Sequence, residues 1–203
     1  MRLFIGSGNA IKVNDWRCYL PDWEVLSYED LGLEKIEVEE GMSSLEENAV
    51  CKALAWAKSS GELTLSDDTG FFINALGGLP GVSVKRWGGR FEKEMDRAEF
   101  YSYLRRQVEG FDDLSCYFES AYAVASPEGI AEVFSDRMEG ELDRGLLEKD
   151  IPEGSPLGVL FRAYGMDRTW RDMSAEERRR ADSRIVTRVK KIVESFGRDC
   201  GQK

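Results

Sequence analysis

The sequence contains no histidine among its 203 residues. This absence excludes catalytic Ser-His-Asp and Cys-His groups, His-ligated zinc and an imidazole general base. Cysteine is scarce, and Cys18, Cys51, Cys116 and Cys200 lie far apart without a Cys-x-x-Cys spacing, which predicts reduced thiols and no zinc knuckle. No apolar run is long enough for a signal peptide or a membrane span, which predicts a cytoplasmic protein without a membrane partner.

Positive charge is also in deficit, with 28 Lys and Arg against 38 Asp and Glu and a net charge of −10. Such a balance argues against broad binding to duplex nucleic acid, because that binding depends on neutralising many phosphates. A small anionic substrate remains compatible, since a cation or a local basic cluster reverses the field within a cleft. The 42% hydrophobic content supplies a core, and we expect a single domain with two lobes over residues 1–203.

Short apolar runs alternate with helical patterns, without low-complexity segments or repeats. Strands are predicted at Leu3–Ile5, Trp23–Ser27, Lys35–Glu39, Leu63–Ser66, Cys116–Ala125 and Gly129–Arg137. Helices are predicted up to Leu20, from a capping box at Ser43 or Ser44 onward, at Arg97–Val108 and at Ser174–Phe196. This order favours the α/β class, with a mixed central sheet flanked by helices and a cleft between two lobes.

A strand-to-helix turn near the N-terminus has the residues of an anion site. Ser7, Gly8 and Asn9 join the first strand to a helix, where free N–H groups and the helix dipole favour a phosphate. Lys12, about one turn into that helix, reaches the same position. The alternative is a tight turn in which Asn9 caps the helix and Lys12 is solvated.

Two adjacent carboxylates, Asp67 and Asp68, follow the strand at Leu63–Ser66. Because neighbouring strand residues point to opposite sides, one carboxylate can bind a metal while a lysine or backbone donors hold the other. In a chain without histidine, oxygen-ligated Mg²⁺ is the metal that this pair predicts. An Asx turn at the strand end is the structural alternative.

Two helical stripes of polar residues are also candidates. Ser44, Asn48 and Lys52 are spaced four residues apart, so Lys52 either faces a phosphate in a cleft or lies on a solvated helix face. The last predicted helix carries a basic stripe, which either closes the phosphate end of a cleft or pairs with nearby acidic residues. Its members are Arg180, Arg184, Arg188 and Lys191.

Taken in order, these motifs resemble the inosine triphosphate pyrophosphatase family over about residues 1–90. They are SGNxxK from Ser7, Glu39-Glu40 ahead of ENAxxKA, Asp67-Asp68-Thr69-Gly70, and GxPG from Gly78 with Arg86 beyond it. The resemblance implies Mg²⁺-dependent hydrolysis of a nucleoside triphosphate between its α and β phosphates. It also implies a homodimer that acts on free nonstandard purine nucleotides such as ITP, dITP and XTP. Hydrolysis of these nucleotides would remove them from the nucleotide pool.

The resemblance also implies individual roles. Asp68 matches the aspartate proposed to bind the metal and activate water, Glu40 matches the metal-binding glutamate, and Lys52 matches a phosphate-contacting lysine. Substrate binding is implied for Ser7, Gly8, Asn9, Lys12, Asp67, Thr69, Gly70, Arg86, Arg178 and Arg184.

The base-recognition segments depart from the family pattern. Ser155 and Gly158 stand where relatives have a stacking aromatic and a base-reading aspartate, and Ser183 replaces a histidine. Purine specificity therefore does not follow from the resemblance alone. A nucleotide-binding or regulatory protein with little turnover is the alternative function, and a protein of unrelated function whose acidic pairs are turns and caps is a third.

Overall fold

The structure of the chain is a computed structural model that describes residues 1–38, 44–84, 87, 97–147 and 157–199. The chain divides into two compact units. The first unit comprises residues 1–68, 120–136 and 174–203, and the second comprises residues 69–119 and 137–173.

Seven strands and six α-helices occur in the described residues. In chain order they are β1 (Arg2–Ile5), α1 (Ala10–Tyr19), β2 (Glu24–Leu26), α2 (Leu45–Ser60), β3 (Thr64–Ile73), β4 (Pro80–Gly81), α3 (Arg97–Val108), β5 (Ser115–Ser126), β6 (Gly129–Leu142), α4 (Arg144–Leu147), β7 (Phe161–Ala163), α5 (Ala175–Ala181) and α6 (Ser183–Asp199). The strand order is β2-β1-β3-β5-β6-β7, and β4 pairs with β3. Strands β3, β5 and β6 contribute residues to both units.

The sheet is mixed, as the α/β prediction requires. Strand β1 pairs in parallel with β2 and with β3, whereas β4 is antiparallel to β3 and β7 is antiparallel to β6. Leu3, Phe4 and Ile5 of β1 are completely or almost completely buried. An unbroken apolar run is typical of a parallel strand that is covered on both faces, so the predicted strand at Leu3–Ile5 is confirmed.

Helix α2 begins after Ser44, one of the two predicted capping residues. Ser44 is the N-cap residue, and its Oγ accepts a hydrogen bond of 3.0 Å from the backbone N–H of Glu47. Gly61 ends the helix in the left-handed conformation with φ of 71°, which glycine adopts without a steric penalty. Ser43, the alternative cap, lies outside the described residues.

Each unit has its own hydrophobic core. In the first unit, Leu3 and Ile5 pack with α1 and with Ile185, Val189 and Val193 of α6. In the second unit, the fully buried Phe71 and Phe161 pack around Phe118, with ring centroids 4.7 and 4.8 Å from that of Phe118. Among the described residues, no helix has both the length and the apolar character that crossing a membrane requires.

The strand predicted at Lys35–Glu39 is wrong for its described part, because residues 35–38 belong to no strand. The chain instead turns at Gly32, which has φ of 63°, and the N–H of Leu33 bonds to the carbonyl of Tyr28. Leu33 and Ile36 pack against a buried cluster that contains Phe4. The alternating apolar residues therefore cover the core without joining the sheet.

The helix predicted at Ser174–Phe196 is two helices, α5 and α6, which are separated at Asp182. Asp182 ends α5 with φ of −85° and ψ of 11°, and its N–H donates to carbonyls of the preceding turn. Its side chain accepts a hydrogen bond of 2.8 Å from the Tyr19 hydroxyl of α1. The break therefore coincides with a contact to another helix, which helical periodicity does not reveal.

Candidate active site

The turn between β1 and α1 presents backbone donors at a helix N-terminus. Asn9 caps α1, and its Oδ1 accepts a hydrogen bond of 3.0 Å from the N–H of Ile11. Ser7 Oγ accepts a hydrogen bond of 3.1 Å from the N–H of Asn9. No acidic residue occupies the first turn of α1, so the helix dipole there is not offset by a local carboxylate.

Asn9 caps α1 as the structural alternative has it, but Lys12 is paired and its side chain is only 34% exposed. Its amino group forms an ion pair with the carboxylate of Asp67, which lies 55 residues later on β3. The Asp67 side chain is only 9% exposed. A charge-assisted hydrogen bond at a site so little exposed is stronger than one between neutral groups, and it fixes the position of Lys12 beside β3.

Asp68 is bound by two side chains of α2. Lys52 Nζ donates to Asp68 Oδ1 at 2.5 Å, and Asn48 Nδ2 donates to Asp68 Oδ2 at 2.9 Å. The side chains of Lys52 and Asp68 are 14% and 13% exposed. The two aspartates thus pair with different helices, as expected for adjacent residues of a strand. Strand β3 continues through both, so the Asx-turn alternative is wrong.

Lys52 contacts both aspartates, because its Nζ also donates a hydrogen bond of 3.3 Å to the backbone carbonyl of Asp67. Asn48 belongs to the predicted polar stripe, although the family resemblance implies no role for it. Its spacing of four residues from Lys52 is the sequence signal for its position, since residues four apart lie on one helix face.

Gly6 and Ser66 link β1 to β3 immediately before the turn and the aspartates. Ser66 Oγ donates to the carbonyl of Gly6 at 2.9 Å, and both residues are buried. A Cβ atom at Gly6 would lie 2.1 Å from Ser66 Oγ, so this close approach requires glycine. The bond holds the start of the turn against the strand that carries Asp67 and Asp68.

Thr69 and Gly70 continue β3 within the second unit. A Cβ atom at Gly70 would lie 2.8 Å from the Phe72 ring and 2.9 Å from the carbonyl of Gly81. Gly70 therefore allows β4 to approach β3, which is a packing role. Substrate binding by Thr69 and Gly70 stays a prediction.

The two arginines near the C-terminus have different surroundings. Arg178 forms an ion pair of 2.9 Å with Asp15 of α1, and both side chains are mostly buried. Arg184 is 80% exposed and lies 3.5 Å from Asp136. The structure thus links Arg178 to the helix that carries Lys12, whereas Arg184 lies on the surface of its unit. Their predicted contacts with substrate are untested.

Several predicted residues lie beyond the part of the chain that is described: Glu40, Arg86, Ser155 and Cys200. Gly158 is buried in a turn, and its carbonyl accepts a hydrogen bond from the N–H of Arg171 at 3.2 Å. Ser183 is exposed at the first position of α6. The effect on base specificity of having Ser155, Gly158 and Ser183 in place of the family's aromatic, aspartate and histidine stays a prediction.

Asp182 is a carboxyl group of the first unit whose surroundings disfavour its charge. Burial raises its pKa to about 6, and the nearby carboxylates of Asp15 and Asp136 act in the same direction. The hydrogen bond from Tyr19 and the charge of Arg178 act against this increase. Burial and the charge of Asp182 also raise the pKa of the Tyr19 hydroxyl, which keeps that hydroxyl a donor.

We expect the difference in the free energy of unfolding between Asp182→Asn and the wild type to favour the variant more above pH 6 than at pH 4. The folded pKa of about 6 exceeds the unfolded value of 3.8, so the folded state retains the proton to higher pH. Stability from this group is then lost as the pH rises from about 4 to 6, by up to about 3 kcal/mol. Asparagine does not ionise but still accepts the Tyr19 hydrogen bond.

The measurement is urea unfolding from pH 4 to pH 8 for the wild type, for Asp182→Asn and for the exposed control Asp112→Asn. The difference between Asp182→Asn and the wild type should increase through pH 4–6, while the control follows the wild type. A constant difference between Asp182→Asn and the wild type would show that Asp182 does not titrate in this range.

The chain matches known proteins along almost its whole length. The model of the Ham1 family matches residues 3–190. A relative from Rhizobium meliloti (strain 1021), described as a dITP/XTP pyrophosphatase, is 32% identical, and the match covers 98% of this chain and 95% of the relative.

Two solved structures share the fold. The Staphylococcus aureus Ham1 protein is 26% identical with a TM-score of 0.71, and the match covers 94% of this chain and 98% of that protein. A protein from Mycobacterium abscessus, described as a nucleoside-triphosphatase and dITP/XTP pyrophosphatase, is 30% identical with a TM-score of 0.63, and the match covers 91% and 95%. Sequence and fold agree with the motifs at the turn, α2 and β3, and the chain therefore belongs to the Ham1 family, as its resemblance to inosine triphosphate pyrophosphatases predicted.

Proposed function

We propose that this protein hydrolyses nonstandard purine nucleoside triphosphates, such as ITP, dITP and XTP, to a nucleoside monophosphate and pyrophosphate. The observation that carries the proposal is the pair of neighbouring ion pairs, Lys12–Asp67 and Lys52–Asp68, on one strand. Lys12 belongs to the helix whose N-terminus follows the Ser7–Asn9 turn. The relatives described as dITP/XTP pyrophosphatases support the substrate class.

Each residue has a chemical role in this proposal. The turn binds phosphate oxygens through backbone N–H groups, as helix N-termini do in other phosphate sites. Lys12 and Lys52 neutralise the charge that moves onto pyrophosphate when the bond between the α-phosphorus and the bridging oxygen breaks. Asp68 orients the attacking water and accepts its proton on a carboxylate oxygen. The monophosphate keeps the oxygen of that water.

Magnesium fits the donor set of this site. Asp67 and Asp68 offer hard oxygen ligands, and Mg²⁺ is usually held by one or two carboxylates together with substrate phosphates. Within the described ranges, no group of three metal-ligating side chains occurs, so the substrate's phosphates complete the coordination in this proposal. We assign the metal to Asp68 and Glu40, as the family resemblance implies. Bound Mg²⁺ polarises phosphoryl oxygens and acidifies water.

The proposal is tested by incubating the purified protein with Mg²⁺ and a panel of ITP, dITP, XTP, ATP, GTP, CTP and UTP. We expect pyrophosphate and the matching monophosphate, released fastest from ITP, dITP and XTP, and no release after chelation of the metal. Cleavage of none of the panel would reject the enzyme. Calorimetric binding of a nucleotide without turnover would instead identify a nucleotide-binding protein.

We further propose that the protein acts on free nucleotides in the cytoplasm as a homodimer and so removes nonstandard purines from the nucleotide pool. The family resemblance supports the dimer and the setting. Light scattering of the purified chain tests the first part, since a dimer of this 23.0 kDa protein has twice its mass. A monomeric mass at assay concentration would contradict it.

A further inference from the structure

Lys35 lies directly over the turn between β1 and α1, although no sequence motif marks it. A Cβ atom placed at Gly8 would be 2.3 Å from Lys35 Cε and 2.9 Å from Lys35 Nζ. The end of the lysine side chain therefore occupies the space beside the Gly8 backbone. Its amino group lies at the turn whose N–H groups precede α1.

Lys35 differs from the two lysines already assigned to the site. Lys12 and Lys52 are each paired with a carboxylate of β3. Among the residues that the structure describes, no carboxylate forms an ion pair with Lys35. The lysine is exposed, so its charge is available to a ligand at the turn.

We infer that Lys35 is a further phosphate-binding residue, and that it increases the preference of the site for a triphosphate over shorter phosphate chains. The inference rests on the proposed function, because it concerns the same turn. Lys12 and Lys52 have their charges balanced by Asp67 and Asp68, whereas Lys35 adds a positive charge that pairs with no carboxylate among the described residues. The benefit of that charge increases with the negative charge of the ligand.

Gly8 is part of the same arrangement. Gly8 does not have a positive φ, so its backbone accepts an alanine without strain. The obstacle to a side chain is Lys35 itself, whose flexible end would have to move away. Gly8→Ala therefore displaces the Lys35 amino group without changing the charge of the protein.

The test combines four single variants, the double variant of Lys35→Gln with Gly8→Ala, and two measurements. Lys35→Gln removes the charge, Lys35→Arg keeps it, Gly8→Ala displaces the lysine, and Lys58→Gln is a control with the same charge change at an exposed residue of α2. KM and kcat are measured with the triphosphate that the panel identifies. Calorimetry measures the Kd of inorganic tripolyphosphate and of pyrophosphate.

We expect Lys35→Gln to raise KM and the tripolyphosphate Kd by about tenfold, the scale of one charge-assisted hydrogen bond, with kcat changed by less than about twofold. The pyrophosphate Kd should rise less. Lys35→Arg and Lys58→Gln should remain near the wild type. Gly8→Ala should resemble Lys35→Gln, and the double variant should be no worse than either, because both changes remove one contact.

Three results would overturn the inference: an unchanged tripolyphosphate Kd in Lys35→Gln, an equal loss in Lys58→Gln, or equal losses for tripolyphosphate and pyrophosphate. The tripolyphosphate measurement needs no turnover. A wild-type protein that cleaves no nucleotide would therefore reject the proposed function, while the calorimetric comparison would still decide the role of Lys35.

Discussion

Asp68→Asn should lower the rate of pyrophosphate release by about a hundredfold to a thousandfold, the range seen when one group that stabilises a transition state is removed. Asparagine keeps the shape and still accepts the hydrogen bond from Lys52. It loses the negative charge that, in the proposed mechanism, orients water, accepts a proton and holds a cation. Rates are measured as pyrophosphate release at saturating nucleotide and Mg²⁺.

The control for this variant is Asp22→Asn, a change of the same chemistry at an exposed position. Its rate should equal that of the wild type. Thermal unfolding of both variants establishes that Asp68→Asn remains folded. Retention of more than about a tenth of the wild-type rate by folded Asp68→Asn would contradict the assignment, since general base catalysis alone contributes more than this.

Phe161→Ala should lower the free energy of unfolding by about 3–5 kcal/mol, as is usual when a buried phenylalanine is truncated. The side chain is completely buried, and its ring makes edge contacts with Phe71 and Phe118 at centroid distances of 6.3 and 4.8 Å. It also packs over Gly140, where a Cβ atom would lie 2.7 Å from the ring. Truncation to alanine leaves a cavity bordered by β3, β5 and β6, and these three strands cannot all move inward to fill it.

Urea unfolding of Phe161→Ala is compared with two matched variants. Phe161→Leu retains most of the volume and should cost less than about 1.5 kcal/mol. Phe111→Ala, at a residue that is 40% exposed, should change stability by less than about 1 kcal/mol. If Phe161→Ala and Phe111→Ala were equally destabilising, the ring at position 161 would not contribute to the core as described.

Local sequence patterns predicted the elements that depend on local chemistry. The helix at Arg97–Val108 has the predicted bounds, and β5 extends one residue beyond its predicted range at each end. Strand β6 begins at Gly129 as predicted but extends to Leu142, five residues beyond the predicted end. The capping residue Ser44 was recognised because a cap and its partner are only three residues apart. The order of the motifs along the chain also indicated the family, and with it the predicted roles of Lys12, Lys52 and both aspartates.

Contacts between distant segments could not be predicted in the same way. Nothing in the spacing of Lys12 and Asp67 indicates that they pair, because the parallel pairing of β1 with β3 brings them together. Lys35 was interpreted as part of a strand, since alternation does not distinguish a strand from an irregular segment that covers a core. The break at Asp182 coincides with a hydrogen bond from Tyr19, which is 163 residues away in the sequence.

The division of the chain has a consequence for how the protein is made. The core of the first unit joins Leu3 and Ile5 to Ile185, Val189 and Val193, so its first strand and its last helix complete each other. During synthesis from the N-terminus, β1 can pair with β2 and β3 early, but the α6 residues that complete its core exist only when almost the whole chain has been made. A nascent chain that stops before α6 exposes this apolar surface, and premature termination therefore favours aggregation over a partly active fragment.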